Sequence, residues 1–320
     1  MTRPVVLQLR AFPEADQAAL ERDYDMLRLH AAADPDAVLS ARGGAVRAIA
    51  TRGGVGAPGA VIRACPACEL IAVYGVGYDA VDLDAARAQG IAVTHTPDVL
   101  TGDVADLAVA LMLAHRRDLA GAEAWVRSGD WAARGAYPLR RRAWGGRAGI
   151  LGMGRIGRAV ARRLAGFETT LAYHDLGPVP DAPGRFEPDL VALARDADVL
   201  FVAAAATAAT RGLVGRAVLD ALGPEGLLVN VARAAIVDEP ALIAALAEGR
   251  LGGAALDVMA GEPAPSPALL AAPNLLLQPH HASATHDTRA AMGRLMRENL
   301  AAHFAGRPLP TPIPEMETTP

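Results

Sequence analysis

The sequence predicts an α/β protein built on two doubly wound parallel sheets, and three observations carry that prediction. Short apolar runs of strand length alternate with alanine-rich segments of helical period along most of the chain. A Gly-x-Gly-x-x-Gly turn at Gly152, Gly154 and Gly157 joins one such run to one such helix in mid-chain. The length, 320 residues, is long for one hydrophobic core and natural for two.

The glycine turn organises what surrounds it. The apolar run Ala148, Ile150 and Leu151 leads into it, and an amphipathic helix with Ile156, Val160 and Leu164 on one face leads out. The first glycine permits a tight turn, the second removes a side chain where a phosphate approaches, and the third lets helix and strand pack closely. The helix N-terminus adds unpaired N–H groups and the positive end of its dipole. Asp175 ends the next strand about 20 residues on, where a ribose hydroxyl needs an acceptor. We read a dinucleotide site here in preference to a plain structural turn.

Composition narrows the function classes. With 52% hydrophobic residues the chain can bury ample apolar surface, and a net charge of −4 leaves no basic excess for nucleic acid or an anionic membrane. All 31 basic residues are arginine, so Schiff-base chemistry, a lysine-bound pyridoxal cofactor and the P-loop lysine are excluded. Residues 4–9 are short, apolar and closed by Arg10, which reads as a first strand and not a signal peptide. No apolar run has the length to span a bilayer, so a cytoplasmic location is expected. Cys65 and Cys68 form a C-x-x-C within a segment, 61–70, that reads as helical. Without thioredoxin-like context they are expected to be small core residues. No metal site is expected.

In chain order, strands are predicted at 5–9, 26–29, 46–50, 70–74 and 91–93. Gly75-Val76-Gly77 follows the fourth and is either an anion-binding turn or a bland one. Residues 100–117 form a long apolar helix crossing between domains, with Thr101 or Asp103 as N-cap. A polar connector, 120–147, holds Trp125, Trp131, Tyr137, Trp144 and the run Arg140-Arg141-Arg142. An oligomer interface or a solvated loop is preferred there to a nucleic-acid patch, because the rest of the chain is not basic. Beyond Asp175, strands are predicted at 199–203, 227–231, 254–258 and 275–277, and helices at 189–195, 216–222 and 240–248. The last helix, 287–305, has no strand after it and is expected to return to the first domain. The proline-rich tail, 308–320, reads as loosely held surface chain.

Three polar residues stand just beyond predicted strand ends: Arg233 after LLVNVA, Glu262 after AALDVMAG and His280 after LLLQP. Ligands of open α/β sheets bind outside the carboxyl ends of the strands. A histidine there supplies proton transfer near neutrality, a carboxylate orients it, and an arginine clamps a carboxylate and polarises a carbonyl.

Several long segments in this order resemble the D-isomer-specific 2-hydroxyacid dehydrogenases: VYGVGYDAVDLDAARAQGIAVTHTPDVLTGDVADLAVALMLA, GILGMGRIGRAVARRLAGF, LLVNVARAAIVDEPALIAALAEGRLGGAALDVMAGEP and LLLQPHHASAT. The resemblance runs from about Arg47 to Thr285 and is nearest the glyoxylate/hydroxypyruvate reductase and hydroxyphenylpyruvate reductase branch. It implies a Rossmann NAD-binding domain, 99–285, inserted in a flavodoxin-like substrate domain, 1–98 plus 286–320. It also implies a homodimer through the dinucleotide-binding domain and a small 2-keto or 2-hydroxy acid substrate. Arg233, Glu262 and His280 would be catalytic, with Val76, Gly77 and Arg233 binding substrate. Gly152, Gly154, Arg155, Ile156, Gly157, Asp175 and Asp257 would bind the cofactor. With Asp175 followed by Leu176 and no arginine, NAD(H) is expected to be preferred to NADP(H).

The chain departs from the family pattern at Ala234, Ala205, Ala206 and His95, all in segments expected near cofactor or substrate. His281 reads equally as a substrate contact or a packing residue. The corepressors that resemble the same family and bind NAD(H) to assemble partners are the alternative from another functional class.

Overall fold

The computed structural model describes residues 3–316. The chain divides into two compact units, one running from the N-terminus to Leu100 and resuming at Ser283, the other spanning Thr101–Ala282.

In the first unit, β1 (Val5–Gln8), β2 (Asp25–Arg28), β3 (Val46–Arg52), β4 (Leu70–Tyr74) and β5 (Ala92–Thr94) form a parallel sheet in the order β2-β1-β3-β4-β5. That is the flavodoxin-like winding. All five residues of β4 are buried, as a central parallel strand covered on both faces requires. Leu7, Ile49, Ile62, Ile71 and Val93 make the core beside it. The helix His286–Phe304 packs on β4, where the Tyr74 hydroxyl donates to the Arg289 carbonyl at 2.9 Å. β3 runs on past Ala50 because Thr51 and Arg52 pair with Val73 and Tyr74.

Two expectations for this unit need correction. The helix Gly59–Arg63 stops short of both cysteines, which lie on the turn into β4, buried and unbridged. The tail is not loose where it is described. Pro312 bridges Thr94, Ile313 is fully buried, Asn299 accepts from the Thr311 N–H at 3.1 Å, and Tyr78 donates to Glu315 at 2.8 Å. A buried apolar side chain, a side-chain acceptor for the Thr311 N–H and a side-chain bond to Glu315 anchor a segment that proline content alone would leave loose. Residues 317–320 of the predicted loose tail lie outside the described residues.

In the second unit, β6 (Arg147–Leu151), β7 (Thr170–His174), β8 (Arg185–Phe186), β9 (Val199–Val202), β10 (Leu227–Asn230), β11 (Gly253–Leu256) and β12 (Leu275–Leu277) are all parallel. The order β12-β11-β10-β9-β6-β7-β8 is the Rossmann winding, outward in both directions from β6. Asp189, Asp238 and Ser266 cap the helices Leu190–Asp196, Glu239–Ala247 and Pro267–Leu270 through the N–H groups of Val191, Ala241 and Leu269. The long helix begins at Thr101 itself, with Asp103 in its first turn, and packs on the helix Arg155–Leu164 through Arg163 and Asp106. Among the described residues no helix is long and apolar enough to cross a membrane.

The connector after it is more ordered than a polar loop. It carries the helices Leu119–Arg127, capped by Asp118, and Asp130–Arg134. Trp125 and Tyr137 pack edge to face with centroids 5.5 Å apart. Arg140 pairs with Asp118, Arg141 with Glu225, and Arg142 stacks over Trp144, so the arginine run is consumed locally.

Candidate active site

The glycine turn sits at the carboxyl end of β6, where the strand order reverses. Gly152 has φ +94°, and a Cβ there would collide with the backbone of Ala203 and Ala204 just past β9. A Cβ at Gly157 would collide with the carbonyl oxygen of Gly152. The fold itself therefore demands the first and third glycines. Gly154 is different: it caps the helix Arg155–Leu164, and a Cβ there would meet nothing within 4 Å. The N–H groups of Gly154 and Ile156 have no acceptor among the described residues. Bare space above unpaired N–H groups at a helix N-terminus fits a pyrophosphate. Asp175, directly after β7, accepts from Met153 N–H at 2.7 Å and Leu176 N–H at 2.8 Å, one bond on each oxygen. Each oxygen keeps a second lone pair for a ribose hydroxyl.

Three neighbouring strand ends build the second part of the site. Past β10, buried Asn230 accepts from Ala232 N–H and donates to the Arg233 carbonyl, both at 3.0 Å, which shapes the turn that presents Arg233. The Arg233 side chain is half-buried and donates to the Ala232 carbonyl at 2.8 Å. Past β11 comes Asp257, only 1% exposed. Its N–H donates to Asn230 at 3.0 Å, its carbonyl accepts from His280 N–H at 2.9 Å, and its carboxylate accepts from His281 and Ala282 N–H at 2.9 and 3.1 Å. Asp257 thus ties the β10 exit to the segment that follows β12.

That segment holds His280 at φ +51°, a left-handed conformation uncommon for any residue but glycine. Its Nδ1 lies 2.7 Å from Glu262 Oε2, while Glu262 Oε1 accepts from Met259 N–H at 2.9 Å. With Nδ1 committed to the carboxylate, Nε2 is the atom that faces outward on a side chain 42% exposed. His281 Nε2 is buried without a partner among the described residues. In the loop past β9, the Ala205 carbonyl accepts from the Thr210 hydroxyl at 2.7 Å.

Val76 and Gly77 belong to the first unit, on the turn after β4. Gly75 N–H donates to Thr96 Oγ1 at 3.0 Å, and His95 Nδ1 lies 2.9 Å from the Val76 carbonyl. The N–H groups of Val76 and Gly77 have no acceptor among the described residues, which suits an oxyanion.

Residues 109–282 match the family model described as D-isomer specific 2-hydroxyacid dehydrogenase, NAD binding domain. The chain belongs to the D-isomer-specific 2-hydroxyacid dehydrogenase family. It is an NAD(P)-dependent oxidoreductase. Among solved structures it is similar to the 2-hydroxyacid dehydrogenase of Ketogulonicigenium vulgare Y25, at 60% identity and TM-score 0.92 over 98% of this chain and 99% of that one. It also resembles the NADPH-dependent glyoxylate/hydroxypyruvate reductase of Sinorhizobium meliloti in complex with NADP and malonate, at 42% identity and TM-score 0.92 over 98% of each chain. Among curated proteins, the glyoxylate/hydroxypyruvate reductase A of Arabidopsis thaliana is 42% identical over 92% of this chain and 94% of its own.

Two parts of this dehydrogenase site escaped sequence reasoning. Asn230 shapes the Arg233 turn, and its only signal was a polar residue closing the apolar run LLVN. Asp257 was expected at the cofactor, and the sequence did not show that its two oxygens also each accept one backbone N–H beside His280. Nothing in the spacing ALDV announces bonds made to residues 24 and 25 positions later.

Proposed function

We propose that this dehydrogenase reduces small 2-keto acids, with glyoxylate and hydroxypyruvate as the first candidates, to D-2-hydroxy acids. The observation that carries this reading is the 2.7 Å pair of His280 and Glu262 at the strand ends of a dinucleotide fold. Bound NAD(P)H, held by the Gly152–Gly157 turn with Arg155 and Ile156 and by Asp175, supplies the hydride. As negative charge grows on the keto oxygen, His280 Nε2 gives it a proton. Glu262 holds the ring through Nδ1 and steadies the charged form. Arg233 offers a fixed cation to the keto oxygen and carboxylate, and the N–H groups of Val76 and Gly77 receive the carboxylate. The relatives, a glyoxylate/hydroxypyruvate reductase and a hydroxyphenylpyruvate reductase among them, support the substrate class. No observation favours the corepressor reading.

NADH is the proposed cofactor of choice. Asp175 repels a 2′-phosphate, Leu176 follows it, and Arg185 is held by Glu187 at 2.7 Å. The Sinorhizobium relative is an NADPH-dependent reductase, so this chain would differ from it. A homodimer is supported by Leu119, Val126, Trp131, Leu139 and Trp144, each more than half exposed around the connector helices. A cytoplasmic location goes with use of a soluble pyridine dinucleotide pool.

The test is a panel of 2-keto acids with NADH and NADPH, for wild type and His280→Ala. Turnover with at least one small keto acid, better kcat/KM with NADH, and a loss of about 10²–10⁴ in turnover for the variant are expected. Near-normal turnover by a folded His280→Ala protein contradicts the acid–base assignment, and no turnover on any keto acid contradicts the function.

A further inference from the structure

The carboxyl edge of the five-stranded sheet carries an arrangement that the reaction above does not use. β3 ends on Arg52 and β4 on Tyr74, which pair in register. The guanidinium of Arg52 lies 5.8 Å from the centre of the Tyr74 ring. That of Arg289, in the first turn of the helix His286–Phe304, lies 5.9 Å from the same ring. Arg10, just past β1, adds a third positive charge within electrostatic range of Arg52. None of the three is ion-paired to a carboxylate among the described residues. Arg52 is half-buried, and its Nε is inaccessible and without an acceptor among the described residues. Burial, then the charges of Arg289 and Arg10, make its protonated form less favourable.

Elsewhere the same sheet pairs its arginines. Arg47, on the same strand, meets both oxygens of Glu69 at 2.7 Å. Like charges gathered under partial burial without a counter-ion are unfavourable in themselves, and an oxyanion between them reverses the sign. They gather where open α/β sheets bind ligands, and β4 continues directly into Gly75-Val76-Gly77.

We propose that Arg52 and Arg289 form a second oxyanion subsite, which takes a carboxylate or phosphate at the far end of the 2-keto acid. This rests on the proposed function, in which the Val76 and Gly77 N–H groups take the near carboxylate. Among keto acids longer than glyoxylate, those with a second anionic group are then favoured over those without one, and glyoxylate is reduced without using the subsite. A guanidinium fork matches either terminal group, so the substrates themselves discriminate between them.

The experiment measures kcat/KM at saturating NADH on glyoxylate, 2-ketobutyrate, oxaloacetate, 2-ketoglutarate and 3-phosphohydroxypyruvate, for wild type, Arg52→Gln and Arg289→Gln. Wild type should favour a dianionic substrate over 2-ketobutyrate by about 10-fold or more. Each variant should cut that ratio by about 10- to 100-fold, the worth of charge-assisted hydrogen bonds. Oxaloacetate or 2-ketoglutarate in the lead identifies a carboxylate subsite, and 3-phosphohydroxypyruvate in the lead a phosphate one. No dianionic preference in wild type, or an unchanged ratio in both variants, overturns the proposal. Arg289→Gln decides the matter if Arg52→Gln fails to fold. Should no keto acid be reduced, the proposed function falls while the subsite is still readable by thermal unfolding in succinate and in inorganic phosphate against acetate. Either anion protecting wild type but neither variant supports it; equal or no protection overturns it.

Discussion

Replacing Asp257 by Asn changes one oxygen to NH₂ at a site that is 1% exposed. The carboxylate takes two backbone N–H groups, from His281 at 2.9 Å and Ala282 at 3.1 Å, one on each oxygen. Whichever way the amide turns, one of those donors faces another donor. The loss combines a charge-assisted bond, about 1.5–3 kcal/mol, with an unpaired buried N–H, about 1–3 kcal/mol; local relaxation and relief from burying a charge offset part. A net cost of about 2–4 kcal/mol follows, which for a unit of this size lowers Tm by roughly 5–12 °C. Function should suffer as well, because His280 is held at φ +51° next to these bonds. A non-glycine residue pays about 1–3 kcal/mol for such a conformation and keeps it only while its surroundings enforce it. With the hold loosened, the ring drifts from Glu262, and turnover at saturating NADH should fall about 100-fold. The assays are thermal unfolding without cofactor and steady-state turnover with the best keto acid. A Tm within about 1 °C of wild type, with turnover within about twofold, would refute the positioning argument. Weaker NADH binding with Tm unchanged would place the carboxylate's work at the cofactor instead.

Glu262→Gln should lower turnover about 10- to 100-fold by removing the charge-assisted bond to His280, with NADH affinity by fluorescence within about twofold; intact turnover would dissociate the pair. Burial pushes the Cys65 and Cys68 thiols up to about 11 and about 12, so iodoacetamide at pH 8 should modify neither in the native protein and both after denaturation. Rapid native labelling read by mass would count against their core placement. Burial works to raise the Asp198 carboxyl, but the Arg147 guanidinium and backbone N–H outweigh it and hold it below its usual value of 3.8. Its contribution is therefore present above that value and lost as pH falls through the lower folded one, so Asp198→Asn should lose less Tm than wild type between pH 6 and pH 3. Equal acid losses in the two proteins would contradict the assignment.

The chain's own order of residues determined both sheets, the glycine turn and the candidates Arg233, Glu262 and His280. These are local signals: apolar runs such as Leu70–Tyr74, helical periods, and polar residues placed just after a strand. The two-residue strand β8 and the helix Asp130–Arg134 were too short to show a period. The tail misled because proline content speaks to conformational freedom and not to the Asn299 side chain that holds the Thr311 backbone or the Tyr78 hydroxyl that holds the Glu315 carboxylate. Tertiary structure alone decided which distant residues meet. Asp257 reaches residues 281 and 282, Tyr74 lies between the ends of β3 and the helix that begins at His286, and Arg52 comes beside Arg289 across 237 positions (289 minus 52). Such meetings depend on strand order and on which strand end a loop leaves, and neither leaves a mark in the spacing of neighbouring residues.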